Sequence, residues 1–437
     1  MTNSLKASTE GLKIVERARI RKGWDRQSIA WADAAKVSVA TLKRFWQKKN
    51  IQAQFFIDIC HALGVDWQEI VDNLKSEDWG EAPEVSAFYG RTQELSTLEQ
   101  WIVKDRCRLV ALPGMAGIGK TALAVKCVEQ IKNEFEHFIW RSLRNGPSVN
   151  QLLANLFQLL SLQNPSKESY LPEDVGDKIS ILLDYLRAHR CLLILDNVEA
   201  ILSSGNFAGY YREAYKDYGE LFRRIGEERH QSCLVLIGQE NPGEIALLQA
   251  QTSLVRTLQV NGLQEVEARK ILMSKGLSGE NTWEVLIKRY RGNPLALKLI
   301  SSTIQELFNG SVSEYIQYQT LVLGKFYDVL EEQFERLSKL ENQVMCWIAL
   351  KRQPVSFIEL QNKLPSSLSK SDLINVLESL LNRSLIETTK NEYKDENEVL
   401  FTLQPVVMKY VTKYHLPLDV NLNELLHQSQ LLKASKP

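Results

Sequence analysis

Gly114-Met115-Ala116-Gly117-Ile118-Gly119-Lys120-Thr121 is the stretch whose reading decides the fold. It follows a short apolar run, Cys107 to Leu112, and opens into a helical pattern, Ala122 to Lys126. The pattern G-x-x-x-x-G-K-[ST] between a strand and a helix is a phosphate-cradling loop. Gly114, Gly117 and Gly119 let the backbone N–H groups of the loop, through Ile118 and on to Ala122 in the first helical turn, point at a polyphosphate. The helix N-terminus adds its partial positive charge. Lys120 is placed to reach the β- and γ-phosphates, and Thr121 offers a hydroxyl to Mg²⁺. Binding of a nucleoside di- or triphosphate is the first expectation.

Working outward, apolar strand-like runs alternate with helical patterns at 107–112, 137–141, 191–195, 233–238 and 254–259. That alternation predicts βαβ units and a mainly parallel sheet, the α/β P-loop NTPase class. The run Cys191 to Leu195 ends in Asp196, where an acid at a strand end next to a P-loop helps hold Mg²⁺. Lys120 and Asp196 are therefore the candidate catalytic pair, and Thr121 and Asp196 the candidate metal ligands. After about 262 strand signals fade and amphipathic helices take over. They are interrupted only by the short runs Leu385–Thr389 and Val399–Thr402, read as a β-hairpin around a charged turn from Lys390 to Glu398.

Bulk composition narrows the class further. The 437 residues have room for about three domains at roughly 150 residues each. The formal net charge is zero, so no global field points to nucleic acid or membrane. The six cysteines stand singly in apolar segments, which reads as buried reduced thiols in a cytoplasmic protein. The six histidines show no metal-ligand spacing, so no structural zinc site is expected. No apolar run approaches the roughly 18 residues of a membrane span, and the polar start is not a signal peptide.

The order Phe88-Tyr89-Gly90-Arg91, then GMAGIGKT, then LLILDN, then Gly292-Asn293-Pro294-Leu295-Ala296 resembles an NB-ARC ATPase of the STAND class. These are the switch ATPases of plant immune receptors, apoptosome scaffolds and many bacterial signalling proteins. The resemblance covers about residues 86–415. It extends to cyanobacterial-type members, whose texture is similar to Glu228–Leu234 and Phe401–Met408. It implies ADP and ATP as ligands and a winged helix around the hairpin. Arg91 would approach the nucleotide, and the Gly292-Asn293-Pro294 turn, with Leu295, would close over the adenine. Glycine suits the end of one helix and proline the first turn of the next. The resemblance also brings a repeat sensor after the winged helix, for which the remaining residues have no room.

Three positions depart from the family pattern. After Asp196 the family commonly has a second acid that polarises the attacking water; here it is Asn197, and an amide cannot act as a general base. Glu199 stands two residues further on. Where the family often has a γ-phosphate-sensing arginine, this chain has Gln239. Where a Met-His-Asp triplet often holds the ADP-bound state, it has Leu403-Gln404-Pro405, with Gln404 still able to touch a phosphate. These changes predict tight nucleotide binding with slow or absent hydrolysis.

Residues 12–73 resemble the helix-turn-helix of the Xre/Cro repressor class. Ser38 is read as the N-cap of the recognition helix, and Ile29, Val39, Leu42 and Ile59 as the small core. Residues 1–50 hold twelve Lys or Arg against four acids, and residues 53–87 one Lys against eight acids. The basic half could track phosphates, with Ser38, Thr41, Lys43 and Arg44 near a DNA groove. The other reading is an adaptor that keeps the shape for protein contacts.

The expected layout is a helix-turn-helix module over 1–74, a linker over 75–87, the P-loop domain over 88–261, a small helical domain over 262–324, a winged helix over 325–415 and a tail over 416–437. Two functions fit: a nucleotide-driven signalling or defence switch that binds a partner protein or self-assembles, and a nucleotide-gated DNA-binding regulator.

Overall fold

Five of the apolar runs do form parallel strands: β1 (Leu109–Pro113), β2 (His137–Ser142), β3 (Cys191–Asp196), β4 (Cys233–Gly238) and β5 (Val255–Thr257). They lie side by side in the order β2-β3-β4-β1-β5. This computed structural model describes residues 4–71, 76–161, 172–364, 368–390 and 398–416. Residues 72–74 of the N-terminal module, the hairpin turn at 391–397 and the tail beyond 416 lie outside the described residues.

The strand order places the P-loop strand β1 beside β4, with β3 on the far side of β4. In an open parallel sheet, ligands bind beyond the carboxyl ends of such strands. Strands β1, β3 and β4 are buried along their whole length. This explains why they read as continuous apolar runs without alternation. Cys107, Cys127, Cys191 and Cys233 are buried in this core as free thiols. Burial pushes the thiols of Cys127 and Cys191 up to about 12, which makes them inert packing groups.

The region after β5 holds no strand over 262–317 among the described residues, as expected. Helices Glu265–Ser274, Trp283–Arg289, Pro294–Leu307 and Val312–Gln317 pack around Ile271, Trp283, Leu297, Ile304 and Tyr315. Three further helices, Lys339–Lys351, Phe357–Lys363 and Lys370–Asn382, each begin with a reciprocal capping box: Ser338 with Glu341, Ser356 with Glu359, Ser369 with Asp372. Serine followed three residues later by an acid satisfies two orphan N–H groups at once and fixes where each helix starts. The hairpin is present as β7 (Ile386–Lys390) paired antiparallel with β8 (Val399–Leu403), and β8 also pairs with β6 (Val355–Ser356).

The N-terminal unit has its own core. Helices Thr9–Arg21, Ile29–Ala34, Val39–Trp46 and Ala53–Leu63 surround Val15, Trp31, Leu42, Phe45, Phe56 and Ile59, all fully buried. One expected core residue is corrected: Ile29 is 70% exposed and Trp31 takes the inward place. Ser28 caps the helix that begins at Ile29, accepting from Trp31 N. This start directs the indole inward, where its Nε1 donates to Ile59 O at 3.2 Å. Val39 is only half-buried. Ser38 caps the Val39–Trp46 helix as expected, accepting from Thr41 N at 3.1 Å. Lys43 and Arg44 are exposed on that helix, and Arg44 donates to Asn50 O at 2.8 Å.

No described helix is long and apolar enough to cross a membrane.

Candidate nucleotide site

The loop after β1 turns through Gly117 (φ +73°) and Gly119 (φ +100°) into the helix Lys120–Ile131. Gly117 is needed twice over. Its backbone is left-handed, and a Cβ there would stand 2.8 Å from Leu295 Cβ. Lys120 Nζ donates to Gly114 O at 2.8 Å and Met115 O at 3.0 Å, so the ammonium is folded back across the mouth of the loop. Burial lowers the pKa of that ammonium, opposed by the charges of Glu199 and then Asp196. Ile118 is buried beneath the loop, and Ala122 lies in the first turn of the helix.

Thr121 Oγ1 donates to Asp196 Oδ2 at 3.1 Å, which brings together the two expected metal ligands. Asp196 is 7% exposed and also accepts Asn197 N–H at 2.8 Å. Burial pushes its carboxyl up to about 6, with Glu199 acting in the same direction and the Asn197 and Thr121 hydrogen bonds opposing. A hydroxyl and a buried carboxylate are hard oxygen donors, the set that Mg²⁺ takes through one or two protein groups plus phosphate oxygens. The residues present therefore fit that ion.

Arg91 is brought to the loop: it is 6% exposed, donates from Nη2 to Ile118 O at 2.8 Å and pairs with Glu94 at 2.8 Å. Its contact is to the loop backbone, so it holds the shape of the cradle.

The Gly292–Leu295 segment also reaches the loop. Asn293 Nδ2 donates to Ala116 O at 3.1 Å and Leu295 N to Gly117 O at 3.3 Å. Asn293 Oδ1 meanwhile caps the helix Pro294–Leu307 by accepting from the N–H of Leu295 and of Ala296. Gly292 has φ +63° and backbone groups of Leu263 against it, with no room for a Cβ. The resemblance points to the Gly292-Asn293-Pro294 turn as a whole and does not single out the Asn293 side chain, although asparagine before proline is a strong N-cap signal.

At the end of β4, Gln239 donates its backbone N–H to Glu199 Oε2 at 3.1 Å. Asn197 has φ +61° and accepts from Ser142 Oγ at 3.0 Å, so its amide is held towards β2. Gln404 heads the helix Pro405–Tyr414, with no side-chain hydrogen bond to the loop among the described residues.

Directly after Gln239 comes a cluster with no sequence signal at all. Glu240, 2% exposed, pairs with Arg336 and, at 3.3 Å, with Arg383. Arg383 Nε also reaches Glu341 Oε1 at 3.2 Å and its Nη2 donates to Asn206 O at 2.9 Å. Ser379 Oγ completes Glu341 at 2.6 Å. Four charges far apart in sequence thus tie the end of β4 to the helices Lys339–Lys351 and Lys370–Asn382.

At the opposite end of the strands, Glu136, His137 and His189 bring their ligand-type atoms within 4.8 Å of one another. No metal-like spacing along the chain marks this trio. His137 meets Tyr185 Oη at 3.0 Å and His189 meets Glu136 at 2.9 Å. Burial holds His137 down at about 4, with His189 acting in the same direction and Glu136 opposing. An unfolded histidine titrates near 6.5. Between these values the unfolded chain takes up a proton that the native chain refuses. Stability is therefore expected to be full above about 6.5 and to fall as pH drops towards 4. Urea midpoints from pH 7 to 5 check this: His137→Gln should flatten the slope, and an unchanged slope would assign it elsewhere.

Comparison with known proteins follows the same geography. The NB-ARC domain family matches residues 91–202, from Arg91 to the end of the turn after Asp196. An uncharacterized WD repeat-containing protein of Nostoc sp. (strain PCC 7120) is 38% identical over 94% of this chain, and the match spans 36% of that protein. The disease resistance protein RGA5 of Oryza sativa subsp. japonica is 28% identical over 26% of this chain and 11% of its own length. Among solved structures, a STAND protein with a tetratricopeptide repeat sensor from Pyrococcus horikoshii aligns over 82% of this chain and 47% of its own, with 18% identity and a TM-score of 0.38. The chain thus spans at most 36% of these two curated relatives. Residues 91–202 are similar to the NB-ARC domain, and nucleotide binding is what that similarity and the P-loop imply.

Proposed function

We propose that this chain is a STAND-type molecular switch that binds ADP and ATP with Mg²⁺, hydrolyses ATP slowly, and signals by changing its domain arrangement. The observation that carries the reading is the double hydrogen bond from the Gly292–Leu295 segment to the P-loop, Asn293 to Ala116 and Leu295 to Gly117. Any rearrangement of the loop around phosphates is felt at the start of the helix Pro294–Leu307, because the same asparagine caps that helix. Two nucleotides can shift the arrangement only by as much as their affinities for its states differ. The two positions where the family pattern has a charge and this chain has an amide, Asn197 and Gln239, support binding that outlasts chemistry.

In this reading the region around β6, β7 and β8 is a winged helix, the N-terminal unit is a helix-turn-helix module used for protein contact, and the ATP-bound form exposes a surface for self-assembly or a signalling partner. The helices with capping boxes and the β7–β8 hairpin support the first of these. The test is the identity and stoichiometry of nucleotide released when freshly purified protein is denatured. Near one ADP per chain is expected. Protein that carries no nucleotide and binds neither ADP nor ATP on titration would remove the reading.

A further inference from the structure

We propose that Glu199, two residues beyond the place of the family's second acid, is the carboxylate that polarises the attacking water at the terminal phosphate. The inference rests on the chain being an ATP-binding switch and names the group responsible for its slow turnover.

Asn197 is unsuited to that role twice over. Its amide takes no proton, and its side chain is held towards β2 by Ser142. Its left-handed backbone turns the chain directly after β3 into a single 3₁₀ turn, Val198–Ile201. Val198 and Ile201 are buried in that turn, at 1% and 0% exposure, which leaves Glu199 on the outward side. Its carboxylate is then carried across to the end of β4. There Oε2 accepts the Gln239 N–H at 3.1 Å and lies 3.1 Å from where a Gly238 Cβ would stand. Glu199 is thus fixed between the carboxyl ends of β3 and β4, where an open parallel sheet binds its ligand.

The two acids have separate engagements. Asp196 is occupied by Thr121 and by Asn197 N–H, as befits a cation-side ligand. Glu199 has one oxygen committed to Gln239, and its other oxygen has no hydrogen-bond partner among the described residues.

The step balances without any further reactant. A water oxygen bonds to the γ-phosphorus while its proton passes to Glu199. The bond from that phosphorus to the bridging oxygen breaks, and its electron pair stays on the β-phosphate of ADP. The proton then leaves the carboxylate for the released phosphate or for solvent. A general base at such a position is worth about 10²- to 10⁴-fold.

The test uses the full chain, Glu199→Gln and Glu199→Asp. Glutamine keeps an oxygen for the Gln239 N–H and cannot accept the proton, so it separates chemistry from anchoring. Three quantities are read: single-turnover hydrolysis of Mg·ATP, affinity for a fluorescent ATP analogue, and the nucleotide carried through purification. Glu199→Gln is expected to hydrolyse about 100-fold or more slowly, bind ATP within about threefold of the parent, and emerge carrying ATP instead of ADP. Glu199→Asp is expected to recover part of the rate. A Glu199→Gln rate equal to the parent's, or a parent that binds ATP and never hydrolyses it, would overturn the inference and leave the switch standing. A parent that binds no nucleotide would instead remove the switch reading beneath it.

Discussion

Lys120→Ala is expected to abolish nucleotide retention while leaving the fold intact. The ammonium projects from the first residue of the helix and donates only to loop carbonyls, Gly114 O and Met115 O. Gly114 and Met115 are buried, but Ala116, Gly117 and Gly119 of the same loop are half-exposed, so truncation opens these carbonyls to water and costs little stability. Bound phosphates lose much more. A charge-assisted hydrogen bond contributes about 1.5–3 kcal/mol, and Lys120 is positioned for more than one such bond. The carboxylates of Glu199 and Asp196 would also face the phosphates with no nearby cation between them. Together these predict a loss of at least about 100-fold in affinity, which is roughly 3 kcal/mol at 1.4 kcal/mol per decade. Melting with and without saturating ADP checks it. The parent should gain stability as RT ln(1 + [L]/Kd), and Lys120→Ala should melt at nearly the same temperature with or without ADP. A variant that gains as much as the parent would mean the loop does not bind phosphates through this lysine.

Arg383→Ala carries the largest expected effect on stability. The guanidinium is 3% exposed and serves three partners: Glu240, Glu341 and the carbonyl of Asn206. Glu240 would keep Arg336, but Glu341 would keep only neutral donors, Ser379 Oγ and Ser338 N–H. Removing one member of a buried ion pair leaves an uncompensated charge and costs about 3–5 kcal/mol. The double variant Arg383→Ala with Glu240→Gln should cost clearly less than the two single changes added together, because the charges share one network. Urea unfolding of the four forms measures this. A loss below about 1 kcal/mol for Arg383→Ala would mean water reaches the cluster freely. The loss would also register at the nucleotide site, since Glu240 adjoins Gln239, whose N–H holds Glu199.

The sheet and the phosphate loop were legible because their signals are local. Five short apolar runs with helical patterns between them predict a parallel sheet, and burial of β1, β3 and β4 on both faces is why those runs do not alternate. The capping boxes at Ser338, Ser356 and Ser369 are equally local, yet none of them was part of the sequence reading. The misreading of Ile29 came from a local signal too. Ile29 was expected in the core for its apolar side chain, whereas in a six-residue helix the direction of the indole of Trp31 decided the packing.

By itself, then, the sequence determined that a P-loop follows a buried strand, that Asp196 ends another, and that Asn197 and Gln239 lack the chemistry the resemblance leads one to expect. Each of these depends on residue type over a few consecutive positions. The tertiary structure alone decided that Asn293 bonds the loop while capping its own helix, that Glu199 crosses to Gln239, and that Glu240, Arg336, Glu341 and Arg383 share one buried site. These outcomes depend on where distant segments end up once the core has packed. Hydrogen bonds and ion pairs act over a few ångströms, and which partners come within that range is fixed by the packing of whole elements, not by spacing along the chain.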